Sequence, residues 1–185
     1  MIEQVAEKLR ARGFEVTCCA TRDEAKARVL KVAEGAATIG QGGSMTLKEI
    51  GVVEALTALG KAPARASAVD LFLLSANALL LDGRIVNIDG NGNRVSASIN
   101  GPKKVLYVVG RNKLVDGGLD DALARIKRCA CPPNARRLGK TTPCATGVCA
   151  DCNVPGRMCN VTVVFDRKPT GIAAEVVLVD EELGY

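Results

Sequence analysis

Six of the eight cysteines fall within 31 residues near the C-terminus: Cys129, Cys131, Cys144, Cys149, Cys152 and Cys159. The segment from Cys144 to Cys152 has the spacing C-x4-C-x2-C, and Cys159 follows shortly after. Three thiolates that close together, on a loop punctuated by Gly and Pro, can converge on one ion without help from distant elements. This spacing occurs in plant-type iron–sulfur ligation, and the inner Cys149-x2-Cys152 equally suits tetrahedral zinc. Cys144, Cys149, Cys152 and Cys159 are the four candidate metal ligands, with Cys131 as a substitute for Cys159 or an extra ligand. Plant-type ferredoxins place the fourth thiolate far downstream, so the nearby Cys159 leaves the choice open between an iron–sulfur cluster and zinc. Disulfides or unligated thiols are the remaining reading. Cys129 is expected on a helix surface, and Cys18 and Cys19 as small hydrophobes at the end of a strand.

The chain contains no histidine. That excludes Ser-His-Asp triads, HExxH zinc sites and histidine acid–base chemistry. An all-cysteine zinc site is ordinarily closed and structural, so the cysteines serve either electron transfer or scaffolding. Any catalytic base must then be Glu, Asp, Lys or Cys. Glu49 is the candidate, expected on the first turn of a helix and either facing a cleft or complementing the helix dipole.

Several Gly-rich or polar segments end apolar runs, where α/β sheets bind ligands. Gly40-Gln-Gly-Gly-Ser-Met-Thr46 links a strand to a helix, and its Gly42, Gly43, Ser44 and Thr46 suit an anion or a tight capped turn. It lacks the lysine of a phosphate-binding P-loop. Asn77 follows the apolar run 69–74, and Asn93 and Arg94 close the turn-rich Asn87-Ile-Asp-Gly-Asn-Gly-Asn-Arg94. Lys113 ends Gly110-Arg-Asn-Lys113 and could pair with an anion. The net charge of +5 is concentrated here. Residues 101–140 carry ten Lys/Arg against Asp116, Asp120 and Asp121, so the segment is +7 and the rest −2. That balance suits a carboxylate, phosphate or coenzyme A ligand, or compensation of anionic thiolates. Arg125, Lys127 and Arg128 read as a solvated helix face. With two Tyr, three Phe and no Trp, stacking on nucleic acid is a poor third choice.

The elements that must position these residues alternate between helix and strand periodicity. Helices are expected over 2–12, from Thr21 to about Ala33, from the glycine loop to about Leu59, and near 117–128. Strands are expected at 14–19, 37–39, 69–74, 84–88, 104–109, 161–165 and 174–179. The runs at 69–74 and 104–109 are apolar throughout, as in strands buried on both faces of a parallel sheet. The pattern predicts a single α/β domain over 1–185, with a mostly parallel sheet and flanking helices. A cysteine-rich elaboration at about 129–160 and a C-terminal hairpin complete it. No run of about 18 apolar residues exists to span a membrane. The charged N-terminus does not read as a secretory signal, so a cytoplasmic protein with reduced thiols is expected.

Gly-Gly-Ser-Met-Thr-Leu-Lys-Glu-Ile-Gly, Asn-Ala, Asp-Gly-Arg-Ile-Val-Asn-Ile-Asp-Gly-Asn-Gly-Asn-Arg-Val and Val-Gly-Arg-Asn-Lys together resemble the lactate-utilisation (LUD) domain family. The ending Thr-Pro-Cys…Cys-Ala-Asp-Cys…Cys-Asn-Val-Thr-Val is similar to its short members with a C-terminal cysteine motif. The resemblance implies a fold like phosphosugar isomerases and coenzyme A transferases, and oxidation of L-lactate beside iron–sulfur partner proteins. It maps substrate phosphate or carboxylate binding onto Gly42, Gly43, Ser44 and Thr46, and the strand-end Asn-Lys onto Asn112 and Lys113. Leu80 stands where the family pattern has Thr, and the 60–68 connection is short.

The leading expectation is thus a lactate or 2-hydroxy-acid cleft beside a cysteine-ligated centre for electron transfer. The alternatives are an isomerase- or transferase-like enzyme using Glu49 with structural zinc, or a non-enzymatic anion sensor or assembly subunit, with an oligomer compatible with each.

Overall fold

A computed structural model describes residues 1–185. Helix α1 (Ile2–Ala11) leads into β1 (Glu15–Cys19), α2 (Arg22–Glu34), β2 (Ile39–Gln41), α3 (Met45–Glu49) and α4 (Val52–Ala58). Then come β3 (Leu71–Leu74), β4 (Ala78–Leu80), β5 (Ile85–Asp89), α5 (Asn93–Ile99) and β6 (Lys104–Gly110). After a 3-10 turn over Arg111–Lys113 follow β7 (Leu114–Val115) and α6 (Leu119–Arg125), which runs through a π-helical turn (Ile126–Ala130) into α7 (Cys131–Arg137). The chain closes with α8 (Pro143–Thr146), β8 (Val161–Phe165) and β9 (Ala173–Val179).

Five strands form a wholly parallel sheet in the order β1-β9-β6-β3-β2. Its central strands are apolar on both faces because both faces are covered. Leu71, Leu73, Leu106, Val108, Val177 and Val179 pack towards α2, α3 and α4. The alternating Phe72, Leu74, Val105, Tyr107, Val109, Val176 and Leu178 pack with α1, α5 and part of a second sheet. Each fully buried Leu or Val side chain in these layers contributes about 1.5–3 kcal/mol. The second sheet runs β7-β4-β5-β8, and α6 with the following turn covers its remaining face. No helix is long and apolar enough to cross a membrane.

The expected parallel α/β architecture is present, with five local differences. There is no C-terminal hairpin: β8 pairs antiparallel with β5, whereas β9 inserts between β1 and β6 in the parallel sheet. The helix expected to reach Leu59 breaks at Gly51, whose φ of +65° is left-handed and ends α3 after five residues. The expected turn at 89–94 gives way at Asn93 to helix α5, and β4 had no strand signal of its own because it is three residues long. The cysteine-rich stretch is helical over its first third, with Pro132 and Pro133 in the first turn of α7 directly after the π-helical turn.

The residue 60–68 connection crosses over β2. A Cβ on Gly40 would stand 2.2 Å from the Ala66 carbonyl and 2.9 Å from Phe72 Cδ2. Gly40→Ala is therefore expected to lower stability by about 1–3 kcal/mol through overpacking, read by chemical denaturation. An unchanged midpoint would show that the connection yields freely.

Candidate functional site

Parallel strands end together on one side of a sheet. The carboxyl ends of β2, β3 and β6 open onto a cleft of about 610 Å³, facing the end of β5 and the α6–α7 segment. Each strand contributes the segment that follows it: Gly42, Gly43 and Ser44 after β2, Ser75 and Asn77 after β3, and Lys113 after β6. Asn93 and Arg94, at the start of α5, complete the far wall. Seven of the nine expected ligand-binding residues line this cleft. Thr46 and Asn112 do not, and act behind it.

Arg125 holds the strand ends in place. It is 8% exposed, and its guanidinium donates to the Asn77 carbonyl at 2.7 Å and to the Asn112 carbonyl at 2.8 Å. The sequence reading of Arg125 as a solvated helix face is thus corrected. Its neighbours Ala122 in α6 and Ile126 in the following π-helical turn are buried too, and no charge-based rule marks an arginine inside an apolar stripe. Asn77 is equally committed. Its side-chain oxygen accepts from Ile88 N at 2.9 Å and Arg94 Nη2 at 3.0 Å, and its backbone N–H donates to Asn87 Oδ1 at 2.8 Å. Asn112 ties down the C-terminal segment through the Leu183 N–H and the Gly184 carbonyl.

The glycines of the β2 loop have separate tasks. A Cβ on Gly42 would meet Arg94 Cγ at 2.4 Å, so Gly42 lets Arg94 lie across the loop. A Cβ on Gly43 would meet nothing within 4 Å, which leaves its backbone open to a ligand. Ser44 caps α3 by accepting from Leu47 N. With α3 only five residues long, the dipole expected from a long helix is largely lost, and the cleft's positive potential comes from side chains instead.

Lys113 is 3% exposed, and its Nζ donates to Thr46 Oγ1 at 2.7 Å and Ser75 Oγ at 2.8 Å. Burial pushes its pKa down to about 7, and the nearby positive Arg125 and Arg94 push the same way, opposed weakly by Glu49. Glu49 itself is exposed at the end of α3, accepts from the Gly184 N–H at 2.6 Å and does not line the cleft. Lys113, not Glu49, is the one of these two titratable groups that lines the cleft. Arg65, Arg137, Lys140 and Arg157 add further positive charge to the lining, against Asp89 as the one carboxylate.

Cys144, Cys149, Cys152 and Cys159 line one small cavity of about 20 Å³ beside this cleft. Cys131 Sγ stands 3.5 Å from Cys159 Sγ. Asp151, the one non-glycine residue with positive φ (+45°), turns the chain between Cys149 and Cys152. Its carboxylate pairs with Lys127 at 3.1 Å and Arg157 at 3.5 Å, and Arg157 also donates to the Cys152 and Cys159 carbonyls. The hydrogen bond with Cys131 lowers the Cys159 pKa, against burial and with help from Arg157 and Lys127, and the same contact pushes the Cys131 thiol up. The donor chemistry fits a thiolate-ligated metal, with positive charge in place to hold thiolates. No three of these side chains are arranged to hold an ion. Cys129 is exposed and Cys19 buried, as expected, with Cys18 half-buried.

The pKa of Lys113 fixes a pH dependence. Between about 7 and its unperturbed value the unfolded chain binds a proton that the folded chain does not, so stability rises with pH in that window. Relative to Lys113→Met, the wild type is expected to gain about 2 kcal/mol between pH 7 and 9, measured by urea denaturation. A constant difference would mean that Lys113 keeps its charge when buried.

The LUD domain family model matches residues 2–179. A crystal structure of a DUF162 family protein from Deinococcus radiodurans is similar in fold, with TM-score 0.56 and 12% identity over 96% of this chain and 95% of that one. No curated protein matches this sequence. The long motifs around the cleft and the family match thus agree, and the chain belongs to the LUD domain family.

Proposed function

We propose that this protein binds lactate or a similar 2-hydroxy acid in the basic cleft and oxidises it, with electrons leaving through a cysteine-ligated iron–sulfur centre to an iron–sulfur partner protein. Membership of the LUD domain family supports a role related to lactate utilisation. The observation that carries the finer reading is a shared wall: Arg157, Met158 and Cys159 line both the cleft and the cysteine cavity, and Cys131 lines the cleft beside them. A thiolate centre held there would lie next to a bound acid.

The division of labour follows from the side chains. The cleft's guanidinium groups, Arg94 foremost, suit the carboxylate. Lys113 Nζ, partly neutral at pH 7, is the cleft group suited to take the 2-hydroxyl proton. Oxidation releases two electrons and two protons per acid. When bound, an iron–sulfur centre supplies one-electron transfer towards the partner. Cys144, Cys149, Cys152 and Cys159 would hold it, with Cys131 in reserve.

The small cysteine cavity favours a second reading. About 20 Å³ accommodates one water-sized body, which suits a single structural zinc that pins the loop while the cleft works as an isomerase- or transferase-like site.

Anaerobic purification followed by iron, sulfide and zinc analysis separates the two. Iron and sulfide with visible absorption, lost in Cys144→Ser and bleached on addition of L-lactate, are expected. Stoichiometric zinc in a colourless protein, with turnover of phosphosugars or acyl-coenzyme A and no electron acceptor, would establish the second reading instead. Neither metal, with ligand binding but no turnover, would leave an anion-binding sensor.

A further inference from the structure

Lys113 is an unusual amine for a residue whose task is only to present charge. It is 3% exposed, yet its immediate partners are two neutral hydroxyls, Thr46 Oγ1 and Ser75 Oγ, and no carboxylate pairs with it. Thr46 is itself fully buried and donates onward to the Leu183 carbonyl at 3.2 Å. A lysine nitrogen has three positions besides its carbon bond, so two hydroxyls leave one uncommitted. Lys113 lines the cleft together with Ser75. The charged groups that act on it are Arg125 from α6, Arg94 from α5 and Glu49 from α3, and the two guanidiniums outweigh the one carboxylate. A buried lysine beside other cations and lacking a counter-ion is the arrangement that activates an amine as a nucleophile towards carbonyl carbon.

We infer that Lys113 is a carbonyl-reactive amine that forms a reversible imine with C2 of a 2-oxo acid bound in the cleft. The inference rests on the small-acid reading of the cleft and adds to it the chemical class of the oxidised ligand. The neutral amine adds to C2 and forms the C–N bond. Both amine protons then leave with the former carbonyl oxygen as one water, and a C=N bond remains. No oxidant or reductant is consumed. Ser75 and Thr46, hydrogen-bonded to the nitrogen, are placed to pass the protons that this exchange requires. The carboxylate of the same acid faces the positive lining that Arg94 contributes. A 2-hydroxy acid has no carbonyl and binds through hydrogen bonds and charge alone, so the cleft treats the two redox forms differently: it holds the oxidised one covalently until water returns.

The test is trapping with sodium cyanoborohydride, which reduces an imine to a stable secondary amine. Purified protein is incubated with pyruvate and the reductant, then digested and mapped by mass spectrometry, with pyruvate affinity measured in parallel by calorimetry. One adduct per chain is expected on the Lys113 peptide, heavier by pyruvate less one oxygen atom, and none with lactate. Mapping the wild-type adduct locates the site without relying on a variant. Lys113→Arg, whose guanidinium does not form an imine under these conditions, is expected to give no adduct. Calorimetric binding of pyruvate with no adduct at Lys113, or labelling spread evenly over surface lysines, would overturn the imine and leave the acid-binding reading intact. Absence of both binding and adduct would overturn the two together.

Discussion

The cleft depends on one buried guanidinium. Arg125 reaches from α6 to the Asn77 and Asn112 carbonyls, which belong to the segments after β3 and β6. These strands are neighbours in the parallel sheet, but nothing in a ladder of backbone hydrogen bonds fixes how their loops leave it. Hydrogen bonds from a charged donor in a low-dielectric setting are among the stronger ones available, and an unpaired carbonyl there would be costly. With those two carbonyls held, Asn77 can orient Arg94, and Lys113 can reach the hydroxyls of Thr46 and Ser75. One arginine thus sets the positions of the groups from β3, β6 and α5 that face a ligand.

The same choice creates the electrostatic character of the site. A buried cation at Arg125, a second at Arg94 and a third position at Lys113 lie together with no matching set of carboxylates, Asp89 being engaged with Arg94 and its backbone N–H. The least costly response is for Lys113 to give up its proton, and the alternative is for an anion to enter, which is what the proposed acid-binding role draws on. The cysteine loop extends the basic wall through Arg157 and is pinned to the rim where Asn160 binds the Asp89 and Gly90 carbonyls. Cleft and cysteine loop are therefore joined by hydrogen bonds at the end of β5.

Much of this was legible from residue patterns. The continuous apolar runs at Leu71–Leu74 and Val105–Val109 announce strands covered on both faces, and strand-end loops then follow at one side of the sheet. What stayed hidden has physical causes. Arg125 was hidden because charge predicts exposure, and only tertiary carbonyls make a buried arginine affordable. Glu49 drew attention as a carboxylate near the glycine loop, but Gly51 ends α3 and the side chain turns to the Gly184 N–H, away from the cleft. The β8–β9 hairpin was a reasonable local inference, since Asp166 to Gly171 has turn composition. The strands nevertheless complete different sheets, because β9 is apolar enough to be buried between β1 and β6 in the parallel one. Thr46 and Asn112 carry motif signals, yet support Lys113 and the chain terminus instead of lining the cleft.

Arg157, Met158 and Cys159 line both cavities, so an acid bound in the cleft as proposed would shield Cys159. Alkylation rates measured residue by residue on metal-free, reduced protein test it most directly, because they depend on neither turnover nor a bound cluster. If the wall is shared, saturating pyruvate slows iodoacetamide labelling of Cys159 and leaves exposed Cys129 unchanged. Equal rates at Cys159 with and without bound pyruvate would contradict it.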